Sequence, residues 1–430
     1  MKNRKVIVAL VFSVSVMYLG IANAQENVKA SVAKKPKAPE KIMIYNGTDW
    51  KVQMYGFVKA DVVHNTKDVV AEQSPFFVMP QKGKTTDQTR GSLIMSARQS
   101  RIGLKMKGPD VLGAKFFMMV EGDFWGMTVD SSSGDRQGQF RMRHAFAKLT
   151  WPTQTYLLVG QFNMLGIQEK VVPSMVTFQP MTASGFLLMR ETQVRLGQTV
   201  GTKKFSTTLE IEGARAQGGD GIDALYTGAK GISGDERGVG EASETPIAQA
   251  RLTFDVAPTS DLKIVFGGTG SYMRERHTPT TGNSEIVPSW FGMGFAKVAY
   301  GMVSLSGTIV KGQNLDQNLG GIGQGVIENA AGDGFDAVET TLGWAMLAVN
   351  FTKMGLPFKA ATGYGVDNPD DKYLPDGSGR TKNRTIWGNV WFIPSSHYRF
   401  AVEVARMDTT WKNNGTATDY RTQATFMFCF

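Results

Sequence analysis

Basic side chains recur in this 430-residue chain at every second position of short segments whose intervening residues are apolar. Arg195, for example, lies between Val194 and Leu196. Such an alternation places charged groups on one side of an extended strand and apolar groups on the other. Rows of basic side chains that line a water-filled passage favour anions. The chemistry available to these residues is therefore electrostatic selection of anions, without bonds being made or broken.

Most of the candidate pore-lining residues stand on the polar side of such an alternation. The basic ones are Lys59, Arg98, Arg101, Lys105, Arg141, Arg143, Arg190, Arg195, Arg251 and Arg399, and the acidic ones are Asp61, Glu121, Asp123, Glu210, Glu212 and Glu403. Charges at membrane depth are tolerated where they line water or pair with one another. We predict an aqueous pore with a basic wall that the acids partly offset. The alternative is that the arginines are fully paired and only hold the wall round.

An enzyme is the competing class. The four histidines, His64, His144, His277 and His397, lie in separate segments with no Ser or Asp constellation, whereas a hydrolase needs a nucleophile beside its base. Cys429 is the single cysteine, which excludes an internal disulfide or a thiolate metal site. We predict no enzyme, no metal and no cofactor. His144 falls on the apolar side of its segment, and we expect it near a strand end.

Sixteen alternating segments predict the elements that position these residues. They are 51–64, 94–107, 113–125, 139–151, 154–163, 190–200, 204–214, 246–257, 261–273, 289–300, 301–312, 337–351, 357–366, 384–393, 396–408 and 419–430. Each is near the length of a tilted transmembrane strand. We predict an all-β fold, a transmembrane antiparallel up-and-down barrel of about 16 strands over residues 50–430. In 289–300, Phe291 shares a side with Lys297, which indicates a bulge or a shifted register.

The connections alternate in length, which supports a membrane barrel. Tight turns follow the even-numbered segments, and longer polar stretches follow the odd-numbered ones, as in outer-membrane barrels. A secreted soluble all-β protein, which the composition allows, has little reason to keep that parity. Aromatic residues near segment ends predict interfacial girdles: Trp50, Trp125, Trp151, Tyr156, Tyr300, Tyr398 and Trp411.

One connection, 163–189, is long and apolar, with Glu169 and Lys170 as its charges. Long loops within compact domains are usually functional. We predict that this constriction loop folds into the barrel and narrows it. The alternative is a lid or a subunit contact.

Both ends of the chain carry export features. Residues 1–24 combine Lys2, Arg4 and Lys5 with an apolar core and Ala22-Asn23-Ala24, which predicts a cleaved signal peptide rather than a membrane anchor. Residues 25–49 hold lysines and prolines without an apolar period, and we predict a flexible basic periplasmic leader. The last strand presents Phe426, Phe428 and Phe430, which we interpret as the signal read by the barrel-assembly machinery. The net charge of +9 has no basic helix to match it, so we predict no nucleic-acid partner.

Five short motifs resemble the framework of DcaP-like outer-membrane porins. They are Tyr55-Gly56-Phe57-Val58-Lys59-Ala60-Asp61, Ala97-Arg98-Gln99-Ser100-Arg101-Ile102-Gly103-Leu104-Lys105, Arg143-His144-Ala145-Phe146, Val159-Gly160-Gln161-Phe162 and Arg190-Glu191-Thr192-Gln193-Val194-Arg195. The resemblance covers residues 50–200 and is only architectural beyond. It implies a homotrimer in outer-membrane lipid that passes small anionic solutes such as dicarboxylates. A structural or adhesive barrel without an open pore is the remaining alternative. Some members carry an amino-terminal coiled coil, which the prolines of 25–49 do not favour.

Overall fold

The computed structural model describes residues 42–81, 90–126, 138–218 and 238–430. Sixteen antiparallel strands form a closed barrel, in agreement with the prediction, because the first strand pairs with both the second and the last. The strands are β1 Lys51–Asn65, β2 Ser92–Ser96 with Arg101–Lys107, β3 Lys115–Gly126, β4 Gln139–Thr150, β5 Thr155–Asn163, β6 Arg190–Gly201, β7 Phe205–Ala214, β8 Ile247–Val256, β9 Leu262–His277, β10 Glu285–Tyr300, β11 Val303–Gln313, β12 Glu339–Asn350, β13 Phe358–Pro369, β14 Arg380–Phe392, β15 Tyr398–Trp411 and β16 Gly415–Cys429.

In the ranges that the structure describes, helical structure is confined to single turns, with an α-helix at Val239–Ala242 and 3₁₀ turns at Asp316–Asn318, Gly321–Gly323 and Phe351–Met354. Among the described residues, no helix has the length and hydropathy needed to span a bilayer.

Long loops follow most odd-numbered strands. Three of them matter below: L1 (66–91), L3 (164–189) and L6 (314–338). L6 also contains a small hairpin, Val326–Glu328 with Phe335–Ala337. The last connection departs from the predicted parity, since only residues 412–414 join β15 to β16. Even-numbered strands end in short turns, which places the short-turn rim at one end of the barrel and the long loops at the other.

The outer face of the barrel carries an apolar belt. Exposed apolar side chains there include Val58, Val120, Val159, Leu196, Ile309 and Ile386. Trp50, Tyr300 and Tyr398 are exposed at the short-turn rim, as expected for an interfacial girdle. Lipid-facing apolar residues flanked by aromatic rings are typical of a membrane barrel.

Three aromatic residues predicted for the girdles lie inside the barrel instead. Trp125 contacts the ring of Phe178 in L3, with the ring centroids 4.6 Å apart. Tyr156 donates its hydroxyl to Glu210, and Trp411 is buried with its indole N–H donated to a carbonyl of L1. Their partners are lumen-facing groups, which segment ends alone do not reveal.

A β-bulge in β4 corrects the predicted position of His144. Glu121 pairs with His144 and Gly122 with Met142, so Arg143 has no residue opposite it. An extra residue in one strand shifts the side-chain alternation by one. His144 therefore faces the lumen, where it is buried and its ring lies 5.0 Å from that of Phe162. The strand-end position expected from the sequence is wrong for that reason.

The register of β10 is regular, so the bulge expected there is wrong. β10 pairs residue by residue with β9 and β11 over its whole shared length. Phe291, Met293 and Phe295 face the lumen together with Lys297, and the three apolar side chains are buried. Their side of the lumen is apolar because L3 covers it, and the assumption of a uniformly polar lumen produced the error.

The described end of the predicted flexible leader is a strand. Ile42–Asn46 pairs antiparallel with Lys51–Met54 at the start of β1. This edge of β1 is available because β16 reaches only as far as Phe57, opposite Cys429. A backbone edge with free N–H and C=O groups recruits another strand. Residues 1–41, which include the predicted signal peptide, lie outside the described residues.

The carboxy-terminal residue closes the seam of the barrel. The Gly56 amide donates to the Phe430 carbonyl at 3.0 Å, and the Phe430 amide donates to the Gly56 carbonyl at 3.1 Å. A Cβ at Gly56 would come within 2.8 Å of the Phe430 ring. Glycine therefore permits the close approach of the final ring to β1.

Deletion of Phe430 should lower the amount of assembled barrel by about tenfold, because two seam hydrogen bonds and the contacts of one half-buried ring are lost together. The measurement is the folded fraction in isolated membranes, followed by the heat-dependent gel migration of the barrel. Phe430→Tyr keeps both the ring and the backbone bonds and should assemble normally. Assembly of the deletion variant at the level of the intact chain would contradict the role of the seam.

Candidate functional site

L3 leaves the barrel wall at β5 and runs first along β8 inside the lumen. The Arg251 guanidinium donates to the carbonyls of Leu165 and Ile167, both at 2.9 Å. The Gln249 side chain accepts from the Leu165 amide at 3.0 Å. Arg251 and Gln249 both stand on the lumen side of β8, so the start of L3 is held against the inner wall.

The loop then crosses the lumen to β14 and β15. The Glu403 carboxylate accepts from the amides of Val176 and Thr177, at 2.6 and 3.1 Å, and from the Thr177 hydroxyl at 2.7 Å. The Lys59 ammonium donates to the Val176 carbonyl at 2.9 Å, and Asn389 donates to the Ser174 carbonyl at 2.8 Å. Buried polar groups of the loop are thus paired with the wall, which keeps L3 inside.

An apolar cluster fixes the rest of L3. Side chains of the loop pack against the lumen faces of β9 to β14, and the members include Met164, Val171, Phe186, Leu187, Phe291, Met293, Trp344 and Trp387. Each fully buried side chain of this size contributes roughly 1.5–3 kcal/mol. L3 therefore fills the apolar side of the lumen formed by β9 to β14.

L1 and L6 also fold inward, which the sequence analysis did not anticipate. In L1, Phe77 packs edge-on against Trp411 and lies beneath the Arg380 guanidinium. In L6, Leu315 and Ile322 are fully buried. Both loops narrow the long-loop half of the barrel. In L1, the apolar run from Phe76 to Met79 was the available signal, whereas the apolar residues of L6 are interspersed with glycines and polar residues.

The charged side of the lumen centres on β2 to β4. Asp123 accepts from Arg141 at 3.0 and 3.1 Å and from Arg143 at 2.9 Å. Glu121 accepts from Arg143 at 2.9 Å, and Arg101 lies 3.4 Å from the same carboxylate. Adjacent strands in register bring these five side chains together.

Arg190, the first residue of β6, adds a fourth guanidinium to this group. It lies within electrostatic range of Arg141, Arg143 and Arg101. Within the described part of the chain it has no carboxylate within 4.0 Å, and its Nε has no hydrogen-bond partner. We call Arg101, Arg141, Arg143 and Arg190 the arginine cluster. Four guanidiniums face two carboxylates, which leaves an excess of two positive charges.

Aromatic rings form a floor beneath the arginine cluster. The guanidinium carbons of Arg141 and Arg143 each lie 5.5 Å from the centroid of the Phe178 ring in L3. Trp125 stacks beside Phe178, and Arg98 lies 4.8 Å above the Trp125 ring. Cation–π contact orients a guanidinium while its N–H edge stays available. Phe178 was not predicted as a site residue, because it lies in a loop without periodicity.

Several predicted pore-lining residues lie beneath L3 rather than beside open water. Lys59 contacts Asp61 at 3.2 Å and is buried with it. Arg195 pairs with Glu212 at 2.8 Å, and Arg251 with Glu210 at 2.7 Å. These six residues and Glu403 are 2–6% exposed. They face the lumen, as the two-residue alternation along their strands predicted, but their role is to anchor L3.

Other basic residues line the short-turn mouth of the barrel. Lys105 and the predicted Arg399 are joined there by Lys148, Lys297 and Lys359, all on lumen-facing positions. Lys359 lies within electrostatic range of Arg399. The two-residue alternation would not have identified Lys148, because it lies beyond the β4 bulge and shares the predicted lipid side with His144. The mouth below the loop is therefore basic.

The two predicted charges of L3 lie at the same mouth. Lys170 pairs with Asp255 at 2.5 Å, and its carbonyl accepts from Lys297 at 3.1 Å. Glu169 is exposed beside it. The loop therefore turns its charged end toward the short-turn rim.

The histidines do not assemble with one another. Among them, His277 is 3.0 Å from Glu275, and His397 contacts the Cys429 carbonyl. In the described ranges, no group of three or more His, Cys, Asp or Glu side chains is placed to hold a metal ion.

Solved structures share this fold. The outer-membrane channel DcaP of Acinetobacter baumannii matches with a TM-score of 0.67 at 20% identity, over 90% of this chain and 99% of that chain. An anion-selective porin from Comamonas acidovorans matches with a TM-score of 0.53 at 12% identity, over 89% and 100%. OmpF of Salmonella typhi, in complex with daunomycin, matches with a TM-score of 0.52 at 13% identity, over 90% and 100%.

No protein-family model matches the sequence, and the comparison with curated proteins finds no match. The outer-membrane barrel fold and the expected likeness to DcaP-like porins are confirmed at the level of the fold.

Proposed function

We propose that this chain is an outer-membrane porin through which small hydrophilic solutes, preferentially anions, diffuse passively. The observation that carries the proposal is the excess of two positive charges in the arginine cluster, placed opposite L3 where the lumen is narrowed. Arg141 and Arg101 keep 30% and 25% of their side-chain surface exposed. A passing anion can therefore reach guanidinium N–H groups that the acids do not fully occupy.

Charge magnitude supports this preference. Two unit charges about 4 Å apart interact by roughly 4 kcal/mol at an effective dielectric constant of about 20. An uncompensated pair of positive charges at a constriction therefore raises the local anion concentration and opposes cations. The basic residues at the short-turn mouth offer a second, weaker stage, so an anion leaving the cluster meets positive potential again.

The same geometry favours dianions among the anions. Guanidinium groups bind carboxylates through two parallel N–H···O bonds, with a defined orientation. Arg190 lacks a carboxylate partner, and the exposed edge of Arg141 lies beside it in the arginine cluster. A solute with two carboxylates could engage both guanidiniums at once, so we include small dicarboxylates in the proposed substrate class.

Substitution of Arg190 by Gln should lower the anion-over-cation permeability ratio by about threefold, because the cluster loses half of its excess charge. Arg190 is the appropriate residue because its removal leaves no buried carboxylate unpaired. The measurement is the reversal potential across a planar bilayer under a salt gradient. The Lys203→Gln variant, with the same change of charge on an exposed short turn, serves as the control.

Cation preference in the unaltered protein would refute the proposal outright. An unchanged reversal potential in Arg190→Gln, with normal conductance, would remove the arginine cluster as the selectivity element. The double change Arg141→Gln and Arg190→Gln extends the series and should bring the ratio close to that of a neutral pore.

An enzyme on the same barrel is the competing class. The closest approach to an acid–base pair is His277 with Glu275, and the His277 ring also packs 5.1 Å from Phe335. Glu275 in turn accepts from Asn314 at 2.6 Å. Through these contacts the His277–Glu275 pair holds the base of L6. We therefore propose a channel without catalytic activity.

We also propose a homotrimer, and delivery to the membrane by the barrel-assembly machinery through Phe426, Phe428 and Phe430. The first two rings are partly exposed on the outer face of β16, and the third lies at the seam. Exposed rings on the last strand suit recognition before insertion. The supporting measurement is the mass of the detergent-solubilised protein.

A further inference from the structure

A polar cavity of about 540 Å³ opens on the outside of the barrel, at the long-loop ends of β11 to β15. Its lining includes Lys311, Glu339, Thr341, Lys382 and Thr410. Each of these residues neighbours a lumen-facing position in its strand, so its own side chain points away from the pore. The cavity is therefore separate from the channel and from the arginine cluster.

The cavity lies directly above the apolar belt. Ile309 is the next outward-facing residue below Lys311 and is 66% exposed, and Ile386 lies four residues from Lys382. Tyr364 is exposed between them on β13. One step of two residues along a strand is about 7 Å. The cavity thus stands at the level of lipid headgroups in the leaflet on the long-loop side, with acyl-chain contacts immediately below.

Charges of both signs meet in the cavity. Lys311 lies 3.8 Å from Glu339, and both side chains are more than half exposed. The lining also includes the adjacent acids Asp370 and Asp371, and the second lysine, Lys382, stands on the opposite wall. Ammonium groups bind phosphate oxygens, and carboxylates can share a divalent cation with a phosphate. A phosphorylated headgroup with associated cations matches this combination better than a simple anion does.

Hydroxyl groups complete the lining. Thr341, Thr381 and Thr410 border the cavity, and each can donate or accept a hydrogen bond. Sugar hydroxyls both donate and accept hydrogen bonds, and threonine hydroxyls can pair with them in either role. The volume, about 540 Å³, accommodates a disaccharide-sized group.

We propose that this cavity binds the phosphorylated saccharide headgroup of an outer-leaflet lipid. The lysines contact the phosphates, the carboxylates hold bridging divalent cations, and the threonines contact the sugar. The acyl chains lie on Ile309, Tyr364 and Ile386. This site is separate from solute passage, since Lys311, Glu339, Thr341, Lys382 and Thr410 point away from the pore. Thr340 also borders the cavity but is buried on the lumen side, where its hydroxyl donates to Asp367.

The test uses the purified full-length barrel, stripped of lipid in detergent, and lipopolysaccharide as the probe. Native mass spectrometry and a thermal-shift titration report binding. The double variant Lys311→Ala and Lys382→Ala should bind about tenfold more weakly, because two charge-assisted contacts are lost. The matched control, Lys203→Ala with Lys204→Ala, removes the same two charges at the short-turn rim and should bind normally.

Two further arms separate the sources of affinity. Enzymatic removal of the probe's phosphates should weaken binding to the unaltered barrel much more than to the double variant, whereas chelation of divalent cations should weaken binding to both, because the double variant keeps Glu339, Asp370 and Asp371. The deacylated phosphosaccharide alone should bind more weakly than the intact lipid. Equal binding by the double variant and the control would overturn the site, and equal binding of the deacylated probe would overturn the lipid assignment. Conductance, which should be the same in all variants, verifies that each barrel is folded.

Discussion

Replacement of Glu403 by Ala is expected to raise the single-channel conductance about two- to threefold, because L3 loses its central attachment to the wall. Glu403 is 2% exposed and receives three hydrogen bonds from Val176 and Thr177. Hydrogen bonds to a charged group contribute roughly 1.5–3 kcal/mol each. Their combined loss frees the middle of the loop while the strand pairing of the barrel stays intact.

The measurement is single-channel conductance in a planar bilayer at high salt, where selectivity effects are screened. Glu403→Gln keeps one accepting oxygen and should give an intermediate value. Glu244→Ala removes an exposed carboxylate of a long loop and provides the control. A conductance identical to that of the unaltered protein in both Glu403 variants would show that L3 does not set the width of the path.

Substitution of Asp123 by Asn should have the opposite effect to the loss of an arginine, raising the anion-over-cation permeability ratio by about threefold at low salt. Asp123 is fully buried and accepts three bonds from Arg141 and Arg143. Asn preserves the size of the side chain but removes its charge. The excess in the arginine cluster rises from two positive charges to three.

The reversal potential under a salt gradient again provides the measurement, repeated at about 0.1 M and 1 M salt, where the Debye length falls from about 10 to 3 Å. The increase in the anion-over-cation permeability ratio should be smaller at about 1 M salt. Asp110→Asn, at an exposed turn where Asp110 pairs with Lys115, should leave the ratio unchanged. A lower ratio in Asp123→Asn would mean that Asp123 acts by orienting the arginines, and that net charge does not govern selectivity.

The sequence predicted the sixteen strands because lipid demands an apolar outer face on every strand. That constraint is uniform around the barrel and produces a period of two wherever a strand crosses. It fails at β4, where one inserted residue at Arg143 reverses the alternation without changing composition. A bulge depends on the pairing partner, which a single strand does not reveal.

The exposure of lumen-facing residues was harder to predict than the strands, because some of these residues meet water and others meet a loop. Phe291 faces inward because L3 covers it, and Lys59 is buried because the same loop accepts its hydrogen bond. The alternation correctly put Lys59 on the lumen side, whereas the shared side of Phe291 and Lys297 was interpreted as a bulge or a shifted register. It could not separate the exposed Arg141 from the buried Arg251, because that distinction depends on where a loop distant in sequence comes to rest.

The attachment of L3 to Glu403 joins residues 227 positions apart in the chain. Contacts of such long sequence separation form late, because the chain between them must first be ordered. The loop therefore cannot reach its final place until the penultimate strand has joined the cylinder. During biogenesis, the narrow passage would appear only as a late step of maturation, together with closure of the barrel by β16.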